Sequence, residues 1–391
     1  MDKIEAPREV TRGSYDCIVI GTGGIGSAAI YHLAARGAKV LGIDRFPVAH
    51  DKGSSHGDTR AIRLVYFEHP DYVPLLRRAF TLWEDLDGRT DIPLFRKTGI
   101  LQAGPPNGEV IKGLLAAARA HSLPMEQLSP DDVTTRFPGF RADAEDAVIF
   151  DPNGGVLRVE DCIRTHVSLA EKLGATLSTG EAARDWTIRD GEAVVVTDRG
   201  RYTARNLVIA PGAWAPELLP SLAPYLHLLR KSLFWFETSG PDYRIEAGNP
   251  VFLFEHGDDT FYGFPVMDNK GIKVANHAGG RRLASPADLD RDLDSEELAA
   301  AGRMLRRNLP LANERLNHHT TCMYTMTRDG HFMVGRYPGM SNVSLVAGLS
   351  GHGFKFASVL GEIMADLALE GTTAHPIDFL SPDRFSKDPD L

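Results

Sequence analysis

Apolar residues run unbroken from Cys17 to Ile20, β-branched at three of the four positions. A small-residue stretch with helical character follows over Ser27 to Arg36, and a second apolar run, Lys39 to Ile43, closes at Asp44. The pattern predicts strand, helix, strand, with both strands buried as in a parallel sheet, and Gly37 at the helix stop. Further on, "EAVVVTDRGRYT" alternates like a hairpin strand, and "ARNLVIAPGAW" (204–214) reads as a strand entering a small-residue turn. Residues 251–277 hold three β-rich runs parted by Gly257-Asp258-Asp259 and Asp268-Asn269-Lys270-Gly271, the signature of an antiparallel meander. On its last strand Lys273, Ala275 and His277 share one face, and Ile272, Val274 and Asn276 the other. Cys322, Tyr324 and Met326 likewise alternate onto one face. Near the end, Val343–Ala347 predicts a strand, Gly348, Gly351 and Gly353 a tight turn, and Phe356 onward a helix burying Val359, Leu360, Ile363, Met364 and Leu367.

Composition narrows the function. A chain of 391 residues has room for two or three domains. Net charge of −9 argues against a nucleic-acid surface, which needs clustered Lys and Arg. Three dispersed cysteines, Cys17, Cys162 and Cys322, form neither a disulfide framework nor a cysteine-rich zinc site, and fit a reducing, cytoplasmic setting. The first fourteen residues carry no apolar signal core, and the chain ends "KDPDL", not a Ser-Lys-Leu peroxisomal address. Residues 17–35 lack Asp, Glu, Lys and Arg, but their glycines and His32 break any membrane-spanning run.

The first strand–helix unit carries the clearest chemistry. Gly21, Gly23 and Gly26 spell GxGxxG. Gly21 permits the tight turn, Gly23 lets the backbone approach a pyrophosphate, and Gly26 lets helix and strand pack closely. The helix N-terminus then offers N–H groups and a positive dipole end to phosphates. Asp44, at the end of the second strand, can accept from ribose hydroxyls and would repel a 2′-phosphate. Dinucleotide binding follows, with FAD and NAD both open.

The loop "GSSHGDTRAIR", the segment "FYGFP…GIKVANH", "CMYTMT" and "GLSGHGFKF" occur in one order along the chain. By these motifs the sequence resembles the monomeric sarcosine oxidase and N-methyltryptophan oxidase family, within the D-amino-acid-oxidase-like flavoproteins, from about residue 14 to about residue 382. The resemblance implies an α/β plus antiparallel β fold. A Rossmann-type FAD-binding domain would be built from discontinuous segments, 14–95, 155–225 and 320–385. An antiparallel-sheet substrate domain would be inserted as 96–154 and 226–319, after an N-terminal extension, 1–13. It implies bound FAD and oxidation of a secondary amine, with hydride transfer to the flavin and O2 reduced to hydrogen peroxide.

The resemblance also implies roles. Cys322 would tether the flavin covalently. Gly351, Gly353 and Phe354 would line the cofactor together with His56 and Thr59, and Arg60 would lie beside the flavin ring. Arg63 and Lys355 would grip a substrate carboxylate, a guanidinium suiting it by two parallel donors. Lys273 would promote reoxidation by O2 as a fixed positive charge, while Tyr262, His277 and Tyr324 would line the substrate pocket. Arg60 and Arg63 share a face if their segment is helical. No dedicated base stands out. "TRDGHF" (327–332) departs from the family in lacking a proline and an acidic pair. The partners are an amino-acid-like secondary amine and O2, with no nucleic acid, no membrane, and a monomer or homo-oligomer. Sarcosine or an N-methyl amino acid such as N-methyltryptophan is the expected substrate. Pipecolate or proline, or a fructosyl amino acid, would use the same carboxylate grip. Outside this class stand an NAD-dependent dehydrogenase, in which Cys322 has no role, and a non-catalytic flavoprotein, which the intact Arg63, Lys355 and Lys273 disfavour.

Overall fold

A computed structural model describes residues 11–238 and 243–387. The chain forms two compact units, each built from separated segments: residues 1–55, 160–227 and 325–391 in the first, and 56–159 and 228–324 in the second. The division falls at 55/56, well before the expected boundary at 95. The segment carrying "HGDTRAIR" therefore belongs to the second unit.

The first unit contains a largely parallel sheet. Thr11–Ile20 lies between Val40–Asp44 and Arg201–Ile209, parallel to both, and Val40–Asp44 pairs in parallel with Thr176–Thr179. Along the other edge of Arg201–Ile209, Val343–Ala347 adds in parallel to Leu207–Ile209, and a hairpin of Ala183–Arg189 and Glu192–Thr197 pairs antiparallel with Arg201–Ala204. The first strand thus begins inside the expected extension; residues 1–10 of that extension lie outside the described residues. Continuous apolar runs form this sheet because both faces are covered, and Ile18, Ile20, Leu41, Leu207 and Leu345 are buried in one cluster.

The helix Gly24–Ala35 packs on Ala357–Leu369, which follows a short 3-10 turn at Phe354–Phe356. A Cβ built on Gly361 would fall 2.5 Å from the Ala28 Cβ, so only small residues allow this crossing. The "TRDGHF" loop is closed locally. Thr327 Oγ1 donates to the His331 carbonyl at 2.7 Å, and Arg384 pairs with Asp329 at 2.7 Å.

The second unit is organised on a mixed sheet in the order Arg281–Leu283, Leu226–Thr238, Ile272–Asn276, Asp259–Phe264, Val251–His256, Ile100–Gly104, Ala147–Asp151 and Glu126–Leu128. The meander read from the sequence is its centre, antiparallel throughout. Its register places Lys273 beside Phe264 and Ala275 beside Tyr262, so the face carrying Lys273 also carries Tyr262. The opposite face holds Val274, Ile272, Phe252 and Phe254 in an apolar cluster with the helix Ser295–Asn308.

A separate three-stranded sheet joins Thr59–Ile62, Gly155–Arg158 and Phe95–Lys97. Arg60 therefore lies in a strand, and the helical face that would pair it with Arg63 does not form; at strand spacing, three residues apart means opposite faces. Ladder pairing with Gly155–Arg158 overrides the local spacing.

Candidate active site

In the first unit the glycine turn has the form the chemistry requires. Gly21 has φ +88°, and a Cβ there would lie 2.3 Å from the Ala210 carbonyl oxygen. A Cβ on Gly26 would fall 1.7 Å from the Gly21 oxygen. The helix begins at Gly24 with Gly23 as its cap, no side-chain cap hydrogen bond and no acid in the first turn. Its end is thus suited to an anion. Ser55 Oγ accepts from the Gly24 N–H at 3.3 Å, and the Phe354 ring closes on the same residue, 2.9 Å from where a Gly24 Cβ would stand. The turn bearing Gly351 (φ +82°), Gly353 and Phe354 is therefore brought onto the start of this helix.

Asp44 is buried, accepting from Thr22 N–H at 2.7 Å, Thr22 Oγ1 at 3.1 Å and Phe46 N–H at 2.9 Å. Its carboxylate braces the glycine turn and keeps about one of its four acceptor sites for a ribose hydroxyl. This set of groups fits FAD: a cradle of glycines, a helix end whose cap residue is glycine and an acid at the second strand. Lys355 is buried in the same unit and donates to the His352 carbonyl at 2.7 Å.

The second unit gathers the remaining predicted residues. Lys273 is 2% exposed, and its ammonium donates to Gly57 O at 2.5 Å and to Thr59 O and Oγ1 at 3.1 Å. Its two cross-strand neighbours, Trp235 and Phe264, present rings 5.1 and 4.9 Å from Nζ. Gly57 (φ +89°) and Asp58 (φ +69°) are both left-handed, conformations that Gly and Asp adopt most readily. Lys270 pairs with Asp58 at 2.6 Å. Three acceptors and two aromatic faces thus hold a buried positive charge in one place. Arg60 is half-buried, its Nη1 donating to Thr59 O at 2.8 Å, and His56 is buried nearby in sequence.

Arg63 is buried, with its guanidinium over Tyr66 and Phe67 at 4.9 and 4.7 Å. Its partner is a carboxylate of its own chain: Nη2 donates to both oxygens of Glu68, at 2.7 and 2.8 Å. Asp151 fixes the segment that follows, accepting from the Leu64 and Val65 N–H groups at 2.9 and 3.0 Å. Sequence reading passed over Glu68 and Asp151; the one available signal was an acid five residues after Arg63.

Tyr262, Tyr324 and His277 meet. The two phenol oxygens are 3.5 Å apart, and Tyr324 Oη is 3.5 Å from His277 Nδ1. Burial raises both phenols, Tyr324 well above the ordinary value, so both remain protonated at neutral pH. Cys322 is 1% exposed, and burial raises its thiol. The charges of Arg60, Lys273, Lys231 and Arg291 oppose that shift, so the sulfur sits in a positive field. Lys231, which no local pattern singles out, donates to three backbone carbonyls, His277, Ala278 and Gly279, at 3.2, 2.6 and 3.0 Å.

Among the described residues no group of His, Cys, Asp and Glu could hold a metal ion, and no helix is long and apolar enough to cross a membrane. Residues 16–367 match the DAO family, described as FAD dependent oxidoreductase. The monomeric sarcosine oxidase of Streptomyces avermitilis is 39% identical over 384 residues, covering 96% of this chain and 99% of the relative. The N-methyl-L-tryptophan oxidase of Citrobacter koseri is 36% identical, covering 95% and 100%. Among solved structures, NikD, an unusual amino acid oxidase essential for nikkomycin biosynthesis, matches with a TM-score of 0.83 at 26% identity, over 95% of this chain and 98% of that one. The glycine cradle, the buried cations and likeness along nearly the whole length agree, and the chain belongs to the DAO family of FAD-dependent oxidoreductases.

Proposed function

We propose that this protein oxidises N-methyl amino acids, sarcosine or a larger relative such as N-methyltryptophan, to an imine that water splits into amine and aldehyde, with O2 as acceptor. The observation that carries the reading is Arg63: a buried guanidinium that already holds a carboxylate, in the unit that also holds the tyrosine–histidine group. FAD, when bound, supplies the two-electron redox chemistry. The chain's residues bind, orient and set charge.

Arg63 takes the substrate carboxylate, and Lys355 keeps the second carboxylate role that the resemblance gives it. Tyr262 and Tyr324, both protonated, can donate to substrate oxygen or accept from its amine N–H. His277 Nδ1 stands within reach of the Tyr324 hydroxyl. Lys273 supplies a positive charge that needs no rearrangement when negative charge develops on oxygen. We assign the flavin tether to Cys322, whose thiol burial raises while the positive charges around it partly offset that rise.

The test is direct. The protein is purified, its visible spectrum taken, and peroxide release assayed with sarcosine, N-methyltryptophan, pipecolate, proline and a fructosyl amino acid. Peroxide with the N-methyl amino acids is expected. Turnover of a cyclic or fructosyl substrate alone would move the assignment within the class. A colourless protein active with NAD would overturn it.

A further inference from the structure

Strand Leu226–Thr238 pairs with Arg281–Leu283 through Leu228–Arg230, and with Ile272–Asn276 through Phe234–Phe236. Between these ladders the chain leaves the sheet at residues 277–280, turning through Gly279 (φ +60°) and Gly280 (φ +117°). A Cβ on Gly280 would stand 2.9 Å from the Arg230 carbonyl and 3.1 Å from Lys231 Cδ, so the turn is pressed against this strand. Carbonyls that lose a ladder in a partly buried place need other donors. Lys231, 3% exposed, provides them: its ammonium has three N–H groups and meets three carbonyls, those of His277, Ala278 and Gly279. The same Nζ lies 5.3 Å from the centre of the Tyr324 ring.

His277 is otherwise tied through its N–H, which donates to Thr260 O at 2.7 Å. Lys231 therefore touches both the backbone that carries the imidazole and the ring that the imidazole faces. A buried lysine is a costly way to fill a gap in a sheet, since burial disfavours its charge. An apolar side chain would fill the space but leave three carbonyls without their donor.

We propose that Lys231 is a positioning residue of the active site, fixing the imidazole of His277 and the hydroxyl of Tyr324 relative to Tyr262. The inference rests on the reading of these three side chains as the substrate-facing group. Lys231 itself touches no reacting atom; it acts through the turn and the ring.

The experiment is a double-mutant cycle on the holoenzyme with Lys231→Met, His277→Ala and the pair, reading kcat and KM for the N-methyl amino acid turned over fastest, with melting temperatures alongside. Lys231→Met is expected to lower kcat/KM at least tenfold, and its loss to shrink severalfold in the His277→Ala background, because the two changes share part of one alignment. A purely structural role would give additive losses. Unchanged kinetics in Lys231→Met, or additivity, overturns the proposal while leaving the substrate-facing group intact. An unaltered His277→Ala enzyme overturns that group and the proposal with it. Should Lys231→Met fail to fold, Lys231→Arg replaces it in the cycle. Arginine keeps the charge, but its planar fork cannot serve three converging carbonyls, so a severalfold loss that shrinks in the His277→Ala background is expected, and an additive or absent loss overturns the proposal.

Discussion

Arg63 engages both carboxylate oxygens of Glu68 through one nitrogen, Nη2, and its buried Nε has no hydrogen-bond partner among the described residues. A carboxylate thus occupies the charge that we propose for the substrate, while part of the guanidinium's donor capacity stays unused. On that proposal a substrate carboxylate must share or displace Glu68. Glu68→Gln, which keeps an acceptor but removes the competing charge, should lower KM severalfold. Arg63→Gln should raise KM about ten- to a hundredfold, the worth of a charged hydrogen bond. Steady-state peroxide assays decide it, and equal KM values in wild type and Glu68→Gln would separate Glu68 from substrate binding.

Acid precipitation tests Cys322. The wild-type pellet should stay yellow and its intact mass should carry one FAD, whereas Cys322→Ala should release the flavin into the supernatant. Release from both proteins would make Cys322 a buried, inert thiol.

Lys273→Met removes a charge held by three oxygens and two rings. Turnover with O2 should fall about a hundredfold, the scale of losing one preorganised electrostatic group. Anaerobic bleaching of the flavin by substrate should persist. Stopped-flow traces of the two half-reactions separate them, and equal losses in both would assign Lys273 a different task.

Stability should fall with acid through His166. Burial, with a smaller push from His32, lowers its imidazole from 6.5 to about 3. The unfolded chain then binds a proton that the folded chain refuses between these values. Stability is lost as pH falls below 6.5, by about 2 kcal/mol at pH 5. His166→Gln should flatten the decline. Urea midpoints at pH 7.5 and 5 measure it, and parallel declines in both proteins would place the acid sensitivity elsewhere.

The sequence made some of this legible and hid the rest for physical reasons. Gly21, Gly26 and Gly37 are readable because backbone geometry demands glycine there whatever the neighbours. The faces of Lys273 and Tyr262 are readable because strand alternation fixes them once the turns are found. Arg60 and Arg63 misled because three-residue spacing has meaning only in a helix, and pairing with a strand nearly a hundred positions later decided otherwise. Glu68, Asp151 and Lys231 were hidden because each answers a need created by the fold: a buried guanidinium, two N–H groups leaving a strand, three carbonyls at a broken ladder. Such needs have no local pattern.

The crossing of Ala28 by Gly361 has a consequence for the order of events in the cell. The helix Gly24–Ala35 is synthesised some three hundred residues before the helix that braces it and the Phe354 ring that closes on its first turn. Arg36, at the end of the early helix, pairs with Glu370, 334 residues away. If this helix end takes the FAD phosphates, loading should wait until residues 354–369 have been made. A chain stopped short of residue 357 should be unable to retain the cofactor, however well its second unit folds, and a yellow colour would then record that synthesis passed that point.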